Sequence, residues 1–317
     1  MSGREILNRL APLLGLAGVY LFFLVAVWIH TGRNSYGTAV VLQTILQQSA
    51  IVGMAALGMT MVIIAGGIDL SAGSAVALTS CVIAALLKHA GWPALPAALG
   101  GVAAGAFCGL LNGVLITGLR VVPFIVTLSM FLILRGAAKG IADNKTINPG
   151  ESGLNTLLDQ TGLLPTGVWI LAGFALAVAL LLRYTRFGRH LFAIGSNEPA
   201  ARLCGVPIAR TKILVYAAGG FFSGMAGLFQ YSRLTIGDPT TAQSLELDAI
   251  AAVVIGGGSL SGGVGSVAGS LVGALVMTTI RSGCSQMGWE TYVTEIVAGA
   301  IILAAVALDR LRHRGGS

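Results

Sequence analysis

Four neutral polar side chains stand in or beside long apolar stretches, where they could hydrogen-bond a hydroxyl-rich solute. Gln43 and Gln47 are one helical turn apart and share one face of a helix, and Asn112 and Thr127 follow in later apolar stretches. Amide and hydroxyl groups donate and accept hydrogen bonds without the desolvation cost of a charge. The four are therefore candidates for a solute pathway. Hydrogen bonding between helices is the competing use at each position.

The histidines and cysteines do not have the spacing that covalent catalysis or metal binding requires. The four histidines have neither ligand nor catalytic spacing; they are His30, His89, His190 and His313. The four cysteines stand singly, which favours buried apolar side chains over bridges or metal ligands. The sequence also lacks the G-x-x-x-x-G-K-[ST] loop that cradles nucleotide phosphates. We expect no enzyme activity, no cofactor and no metal in this chain.

The composition places these residues in a lipid bilayer. Of the 317 residues, 55% are hydrophobic and only 10% are charged, against roughly a quarter in a soluble domain, and the mean hydropathy is +0.86. The net charge of +7 is distributed between apolar stretches and forms no single stripe. This distribution argues against nucleic-acid binding and for a membrane topology signal.

Apolar stretches of about 20 residues are long enough for a helix to cross the hydrocarbon layer. The last of nine such stretches ends at residue 308, and the others cover residues 10–29, 40–68, 70–87, 90–119, 121–134, 160–182, 213–232 and 249–280. The glycine-rich run 256–265 divides the stretch 249–280 into a short helix and a second helix. The sequence thus predicts an all-α, polytopic membrane bundle of about ten segments, some broken or re-entrant, in one domain, 1–317.

The cationic residues orient the chain. With a cytoplasmic N-terminus, twelve of the 19 Lys and Arg residues fall inside: Arg4, Arg9, Arg120, Arg183, Arg186, Arg189, Arg202, Arg210, Lys212, Arg310, Arg312 and Arg314. The positive-inside rule favours this arrangement, in which both termini are cytoplasmic. Arg135 is the one charge well inside an apolar stretch, so it must snorkel or find a structural hydrogen bond.

The inside loop 183–212 contains signals for one short helix at 197–205. Asn197 can cap it, Glu198 and Pro199 suit its first turn, and Gly205 can take the left-handed closing position. Such a helix outside the membrane would be a rigid projection. A plain surface helix is the competing interpretation.

Two glycine-rich segments separate apolar stretches and could act as bends. The first contains Gly66, Gly67 and Asp69, and the second contains Gly256, Gly257, Gly262 and Gly263. Glycine tolerates the backbone changes of a hinge, and Asp69 can accept hydrogen bonds from the amides that open the next helix. Further glycines recur every fourth residue at 101–113 and 265–273, which predicts smooth stripes for close helix packing.

The chain resembles the sugar-type permeases of bacterial ABC importers, the group of ribose, xylose and galactose permeases, almost from end to end. The matching blocks occupy residues 56–60, 66–71, 112–113, 122–128, 135–136, 185–189, 193–197, 200–201, 205–206, 246–251 and 256–265. The resemblance implies a type II importer-like permease of the bacterial cytoplasmic membrane that moves a monosaccharide by alternating access.

The resemblance also implies partners: a second permease copy, a cytoplasmic ABC ATPase that binds ATP and Mg, and a periplasmic sugar-binding protein. In such permeases the E-A-A...G segment couples to the ATPase. It corresponds here to Glu198, Ala200, Ala201 and Gly205, with Pro199 inserted after the acid, and Asn197 and Arg202 belong to the same segment. An ion-gradient-driven secondary transporter is the rival class. It usually places acids within the membrane, whereas Asp69, Glu246 and Asp248 lie near segment ends.

Overall fold

The computed structural model of the protein describes residues 3–32, 35–158 and 164–314; for residues 3–11, 31, 305 and 308–314 it describes the backbone alone. The described chain is helical, and its one β-type contact is an isolated antiparallel bridge between Ile147 and Gly237. The helices are α1 (Gly3–Thr31), α2 (Ala39–Ile64), α3 (Ala72–Lys88), α4 (Ala94–Leu119), α5 (Pro123–Ile141), α6 (Thr166–Tyr184), α7 (Arg186–Ser196), α8 (Glu198–Leu203), α9 (Ile208–Leu234), α10 (Leu245–Ile255), α11 (Val267–Gln286) and α12 (Thr291–Arg314). The all-α class is confirmed.

Each predicted apolar segment coincides with one helix, but the helices differ in whether they can cross a bilayer. Within the described residues, seven are long and apolar enough: α1, α2, α4, α5, α6, α9 and α11. The apolar parts of α3 and α12 are shorter. At about 1.5 Å per residue, the 11 residues of α10 reach only about half of a hydrocarbon layer of roughly 30 Å. Ten full crossings therefore stay a prediction.

The predicted break in the long stretch 249–280 is confirmed. Helix α10 ends at Ile255 and α11 begins at Val267, with the glycine-rich turns between them. Helix α10 begins four residues earlier than the apolar stretch, so that Glu246 and Asp248 occupy its first turn. Negative side chains are favourable there because they face the positive end of the helix dipole.

Helix α9 forms the centre of the bundle. It packs along α4 and also contacts α2 and α3, while α10 and α11 pack against the other side of α2. Most of α2 is buried, whereas α1, α4 and α5 present large apolar side chains outward, such as Phe22, Leu99 and Ile133. This apolar exterior is what a helical bundle offers to lipid chains.

The predicted glycine stripes mark the closest helix contacts. On α4, Gly105 lies against the backbone of Gly224, and Gly109 lies against that of Gly220, both on α9. On α11, Gly269 faces Gly256 in the same way. Bare backbone on both sides lets these helices approach more closely than any larger residue would allow.

Arg135 forms the predicted structural hydrogen bonds. Its guanidinium Nη1 donates to the backbone carbonyls of Pro239 and Thr241, at 3.0 and 2.6 Å. The charge thereby ties α5 to the segment that precedes α10. This interpretation of Arg135 is confirmed.

We expect Gly109→Ala to destabilise the bundle, because the added Cβ would overlap the Tyr216 carbonyl and the Gly220 backbone. Overpacking of this kind costs about 1–3 kcal/mol. Gly118→Ala on the same helix is the matched control: its Cβ meets no atom within 4 Å. Thermal unfolding in detergent should show a lower Tm for Gly109→Ala alone. Equal Tm values for the two variants would contradict the packing described here.

Candidate functional site

The short helix predicted in the inside loop is α8. The side-chain oxygen of Asn197 accepts a hydrogen bond from the backbone N–H of Ala200 at 2.9 Å, which is the expected N-cap. Pro199 lies in the first turn, and Gly205 adopts a left-handed conformation with φ of +79°. The local structure of residues 197–205 is therefore confirmed as the sequence predicts it.

Helix α8 is largely exposed and has one buried side chain. Ala201 is buried, whereas Ala200, Arg202, Cys204 and Gly205 are exposed. Leu203, an apolar residue, is 90% exposed at the end of the helix. A protruding leucine of this kind is suited to insertion into a pocket of a partner protein.

An ion-pair cluster fixes α8 against α9. The Glu198 carboxylate lies 2.7 Å from Lys212 Nζ on α9 and 3.2 Å from the Arg202 guanidinium on its own helix. The hydrogen bond from Lys212 is the main cause that lowers the pKa of Glu198 below its usual value of 4.5. The pair between Glu198 and Lys212 joins the first turn of α8 to the second turn of α9 across the connection 204–207. It therefore holds α8 in place relative to α9.

Helix α7 is a feature that sequence reasoning missed. It spans Arg186–Ser196, and Thr185 caps it by accepting a hydrogen bond from the N–H of Gly188 at 3.1 Å. Leu191 and Ile194 are buried on one face. The capping threonine and the apolar spacing at 187, 191 and 194 are the signals that could have found it; the sequence analysis predicted only the helix at 197–205 in this loop.

Both glycine-rich breaks meet the end of α7 in one junction. The N–H of Gly263 donates to the carbonyl of Ile64 at 2.9 Å, so the second break is hydrogen-bonded to the end of α2. A Cβ on Gly195 would overlap the Ile64 carbonyl oxygen, and one on Gly262 would come within 2.9 Å of Gly66 Cα. We name these contacts between residues 64–66, 195–196 and 262–263 the glycine junction. Asn197, the cap of α8, follows it directly.

The backbone of the junction requires glycine at several positions. The φ angles are +76° at Gly66, +91° at Gly262 and +74° at Gly263, all in the left-handed region. Gly257 has φ of +90°, whereas Gly67 and Gly256 have ordinary φ angles, and a Cβ on either would overlap a neighbouring atom. The predicted hinge glycines are thus held by conformation or by space. Their movement stays a prediction.

Asn112 and Thr127 hydrogen-bond the first break. The Asn112 side chain donates to Ser71 Oγ at 2.8 Å, and Ser71 Oγ donates to the Asp69 carboxylate at 2.6 Å. Thr127 Oγ1 donates to the carbonyl of Ile68 at 3.2 Å. Both predicted pathway residues are fully buried, so in this conformation they serve the competing use, hydrogen bonding between segments.

The two glutamines lie elsewhere. Gln47, in the first half of α2, donates to the carbonyl of Leu158 at 2.7 Å, and Gln43 is half-buried one turn before it. The four candidate pathway residues therefore form two separate groups, one at each end of α2.

A polar cavity of about 400 Å³ opens beside the glutamines. Its walls come from α2, α9, α10, α11 and α12, and it contains Gln48 but neither Gln43 nor Gln47. Asp248 and Arg281 form an ion pair in its wall, with Arg281 Nη2 donating to Asp248 Oδ1 at 2.9 Å. Sequence reasoning missed this pair, because nothing in a separation of 33 residues indicates the contact.

The three acids near segment ends are all buried. Asp69, Glu246 and Asp248 are 3%, 7% and 5% exposed. Asp248 pairs with Arg281, and Asp69 accepts two hydrogen bonds from Ser71. Within the described residues Glu246 forms no ion pair, and its Oε2 is buried without a hydrogen-bond partner. Two of the three acids therefore have a partner within the chain that accounts for their position.

The helices and their apolar exterior define a multi-pass membrane protein. Within this class, the chain belongs to the permease components of branched-chain amino acid transport systems, a family that matches residues 41–306.

Its similarity to individual proteins extends over nearly the whole chain. It is 37% identical to the ribose import permease protein of Escherichia coli K12, over 99% of this chain and 98% of that protein. It is 37% identical to the ribose import permease protein of Bacillus subtilis 168, with 96% and 94% covered. The xylose transport system permease protein of Escherichia coli K12 is 33% identical, with 99% and 95% covered. No solved structure matches the chain.

The ion pair of Glu198 predicts a pH-dependent α8. Because the folded pKa of Glu198 is lowered, its stabilisation is present above the unfolded pKa and is lost as the pH falls through the folded pKa. Glu198→Gln should therefore speed amide hydrogen exchange at residues 198–206 at about pH 7, and the difference should vanish at about pH 3.

The exposed acid Glu151 supplies the control. Glu151→Gln should leave exchange at residues 198–206 unchanged at both pH values. Equal exchange of Glu198→Gln and wild type near pH 7, or a difference that persists near pH 3, would refute the role of this pair.

Proposed function

We propose that this protein is the permease subunit of an ATP-driven, binding-protein-dependent importer of a monosaccharide. The observation that carries the proposal is the projecting helix α8, whose cap follows directly on the glycine junction that joins both broken regions of the bundle. A short projecting helix that directly follows the junction of both breaks suits a channel operated from the cytoplasm.

The proposed solute follows from the relatives. The family description names branched-chain amino acids, but the three relatives described above, each similar over nearly its full length, are ribose and xylose permeases. Similarity to individual proteins over the whole chain is the finer guide, so we assign a neutral sugar.

The subunit works with partners. A second copy of the permease completes the pathway, a cytoplasmic ABC ATPase binds ATP and Mg, and a periplasmic sugar-binding protein delivers the sugar. The permease is one domain, 1–317, in the bacterial cytoplasmic membrane with both termini in the cytoplasm, and residues 183–212 form its coupling loop. The inside position of this loop agrees with its excess of arginine.

Movement passes from the ATPase to the bundle through α8. ATP binding closes the ATPase pair and displaces the coupling residues Asn197, Glu198, Ala200, Ala201, Arg202 and Gly205. The Glu198 pair with Lys212 carries the displacement to α9, and Gly195 carries it to both breaks. The two breaks then let the helices that they connect change position, so that the solute pathway opens to one side of the membrane and then to the other. The residues of the breaks are Gly66, Gly67, Asp69, Gly256, Gly257, Gly262 and Gly263.

The candidate pathway residues take different parts in this scheme. Asn112 and Thr127 hold the first break in the conformation described here and meet the solute only when the break moves. Gln43 and Gln47 lie on the same helix as Thr44 and Gln48 of the cavity wall, and we assign them to the solute pathway next to it.

The rival function is ion-gradient-driven transport. Asp69, Glu246 and Asp248 are buried acids of the kind that it requires, but Asp69 and Asp248 are bonded to groups of the chain, and the ribose relatives are import permeases. The importer is the better supported function.

Transport in vesicles separates the two functions. We expect vesicles that contain the permease, its ATPase and its binding protein to accumulate labelled D-ribose or D-xylose only with ATP, and L-leucine not at all. Permease-only vesicles with a sodium or proton gradient are the control. Sugar accumulation by these control vesicles, or ATP-driven uptake of L-leucine in place of sugar, would refute the proposal.

We expect Leu203→Ala to weaken ATPase binding by about tenfold or more, because the exposed side chain of Leu203 would be an anchor of the docking surface. Leu180→Ala, at an exposed leucine in the membrane helix α6, should bind the ATPase as wild type does. Titration of labelled ATPase against the permease in nanodiscs measures both. Wild-type affinity of the Leu203→Ala permease would show that α8 is not the docking element.

A further inference from the structure

The outer polar cavity has the composition of a sugar site. We infer that it binds one neutral monosaccharide directly, through Gln48, Ser285 and the pair Asp248 and Arg281, with Trp289 at its edge. This inference rests on the proposed function and extends it, because it places solute recognition in the permease as well as in the delivery protein.

The cavity offers hydrogen-bonding groups that the chain leaves free. Among the described residues, the side chains of Gln48, Gln243 and Ser285 have no hydrogen-bond partner, although all three line the cavity. Gln48 is also half-buried, where an amide without a partner is unfavourable unless water or a ligand reaches it. Amides and hydroxyls of this kind pair with sugar hydroxyls, which both donate and accept.

The ion pair supplies the strongest donors and acceptors. Asp248 is almost fully buried, and its carboxylate accepts a hydrogen bond from Arg281 Nη2 at 2.9 Å, with its other oxygen 2.8 Å from Arg281 Nε, which is buried and makes no hydrogen bond. The Arg281 side chain is 28% exposed. Since a guanidinium has five N–H donors, those not directed at Asp248 are available to a ligand. A neutral sugar can use them without breaking the pair.

Charge distinguishes the sugar from other solutes. A zwitterionic amino acid would compete with both members of the Asp248 and Arg281 pair, which are already neutralised by each other. Arg233 lies at the exposed rim, and an anionic solute would pair with it rather than with the deeper amides. The deeper wall therefore fits a neutral polyol best.

Size and an aromatic edge agree with this chemistry. The volume of about 400 Å³ lies at the low end of small-molecule sites, which run from about 300 to 1,000 Å³. Trp289 offers an apolar ring face to the C–H face of a sugar ring. With few deep contacts we expect weak binding, with a Kd on the order of 1 mM, which allows the sugar to leave during each cycle.

Fluorescence of Trp289 tests the inference in the whole permease without its partners. Trp28, Trp92 and Trp169 are replaced by Phe, which leaves Trp289 as the only tryptophan. In nanodiscs, D-ribose or D-xylose should shift the emission of Trp289 saturably. Gln48→Leu and Ser285→Ala should each raise the half-saturating concentration by about tenfold. The matched control Ser129→Ala, on the exposed face of α5, should leave it unchanged.

The same titration with L-leucine and D-gluconate distinguishes the solute classes. No saturable shift with either sugar, in protein that remains monodisperse and helical, would overturn the inference. A tighter response to L-leucine or D-gluconate than to the sugars would also overturn it, as would unchanged sugar binding in both cavity variants.

The vesicle assay keeps this inference apart from the proposed function. If wild-type vesicles import sugar with ATP while Trp289 of the otherwise wild-type permease shows no saturable response to sugar, the cavity site is refuted while the function stands. If wild-type vesicles import no sugar while Trp289 responds to sugar, the site stands and the proposed function is refuted.

Discussion

The close approach of bare backbone is the contact on which the rest of this molecule depends. In a bilayer, helices gain little by hiding apolar side chains from one another, because lipid is as apolar as they are, and packing must supply the attraction. Glycine lets α4 and α9 touch along their backbones at Gly109 and Gly220. The glycine junction contains the same kind of backbone contact outside the regular helices. There it joins the ends of α2 and α7 to the turn before α11.

The contacts of the glycine junction are made mainly by backbone atoms, which suits them to pass a displacement from one segment to the next. Flexible side chains between two segments could absorb a displacement by changing rotamer, whereas Gly195 and the carbonyl of Ile64 have no such freedom. The hydrogen bond from Gly263 to Ile64 holds the second break to the first. Under the proposed function, a displacement of α8 that reaches Gly195 would move both breaks together.

Local signals predicted the helices well, and long-range contacts could not be predicted. The Asn197 cap and the break at 256–266 depend on neighbouring residues and could be derived. Asn112 was a candidate for solute contact because its amide is polar, yet its partner Ser71 is 41 residues away, and only packing brings them together. Helix α7 was missed although its apolar residues recur at helical spacing, because it lies in an arginine-rich loop between two membrane segments. A polar side chain in a membrane can hydrogen-bond either another helix or the solute. Which of the two it does depends on its partner in the folded protein, and the sequence pattern does not identify that partner.

Helix α10 links the polar cavity to the glycine junction. Asp248 in its first turn forms part of the cavity wall, and its last residue, Ile255, leads directly into the second break. With 11 residues it is about 16 Å long, too short to bend appreciably and held to α11 by the contact of Gly256 with Gly269. Under the proposed function, a solute bound at Asp248 or Arg281 acts on the helix that leads into the second break, and this break contacts the end of α7 next to α8. Occupancy of the cavity and the position of α8 would then influence each other, and by linkage the influence would be reciprocal.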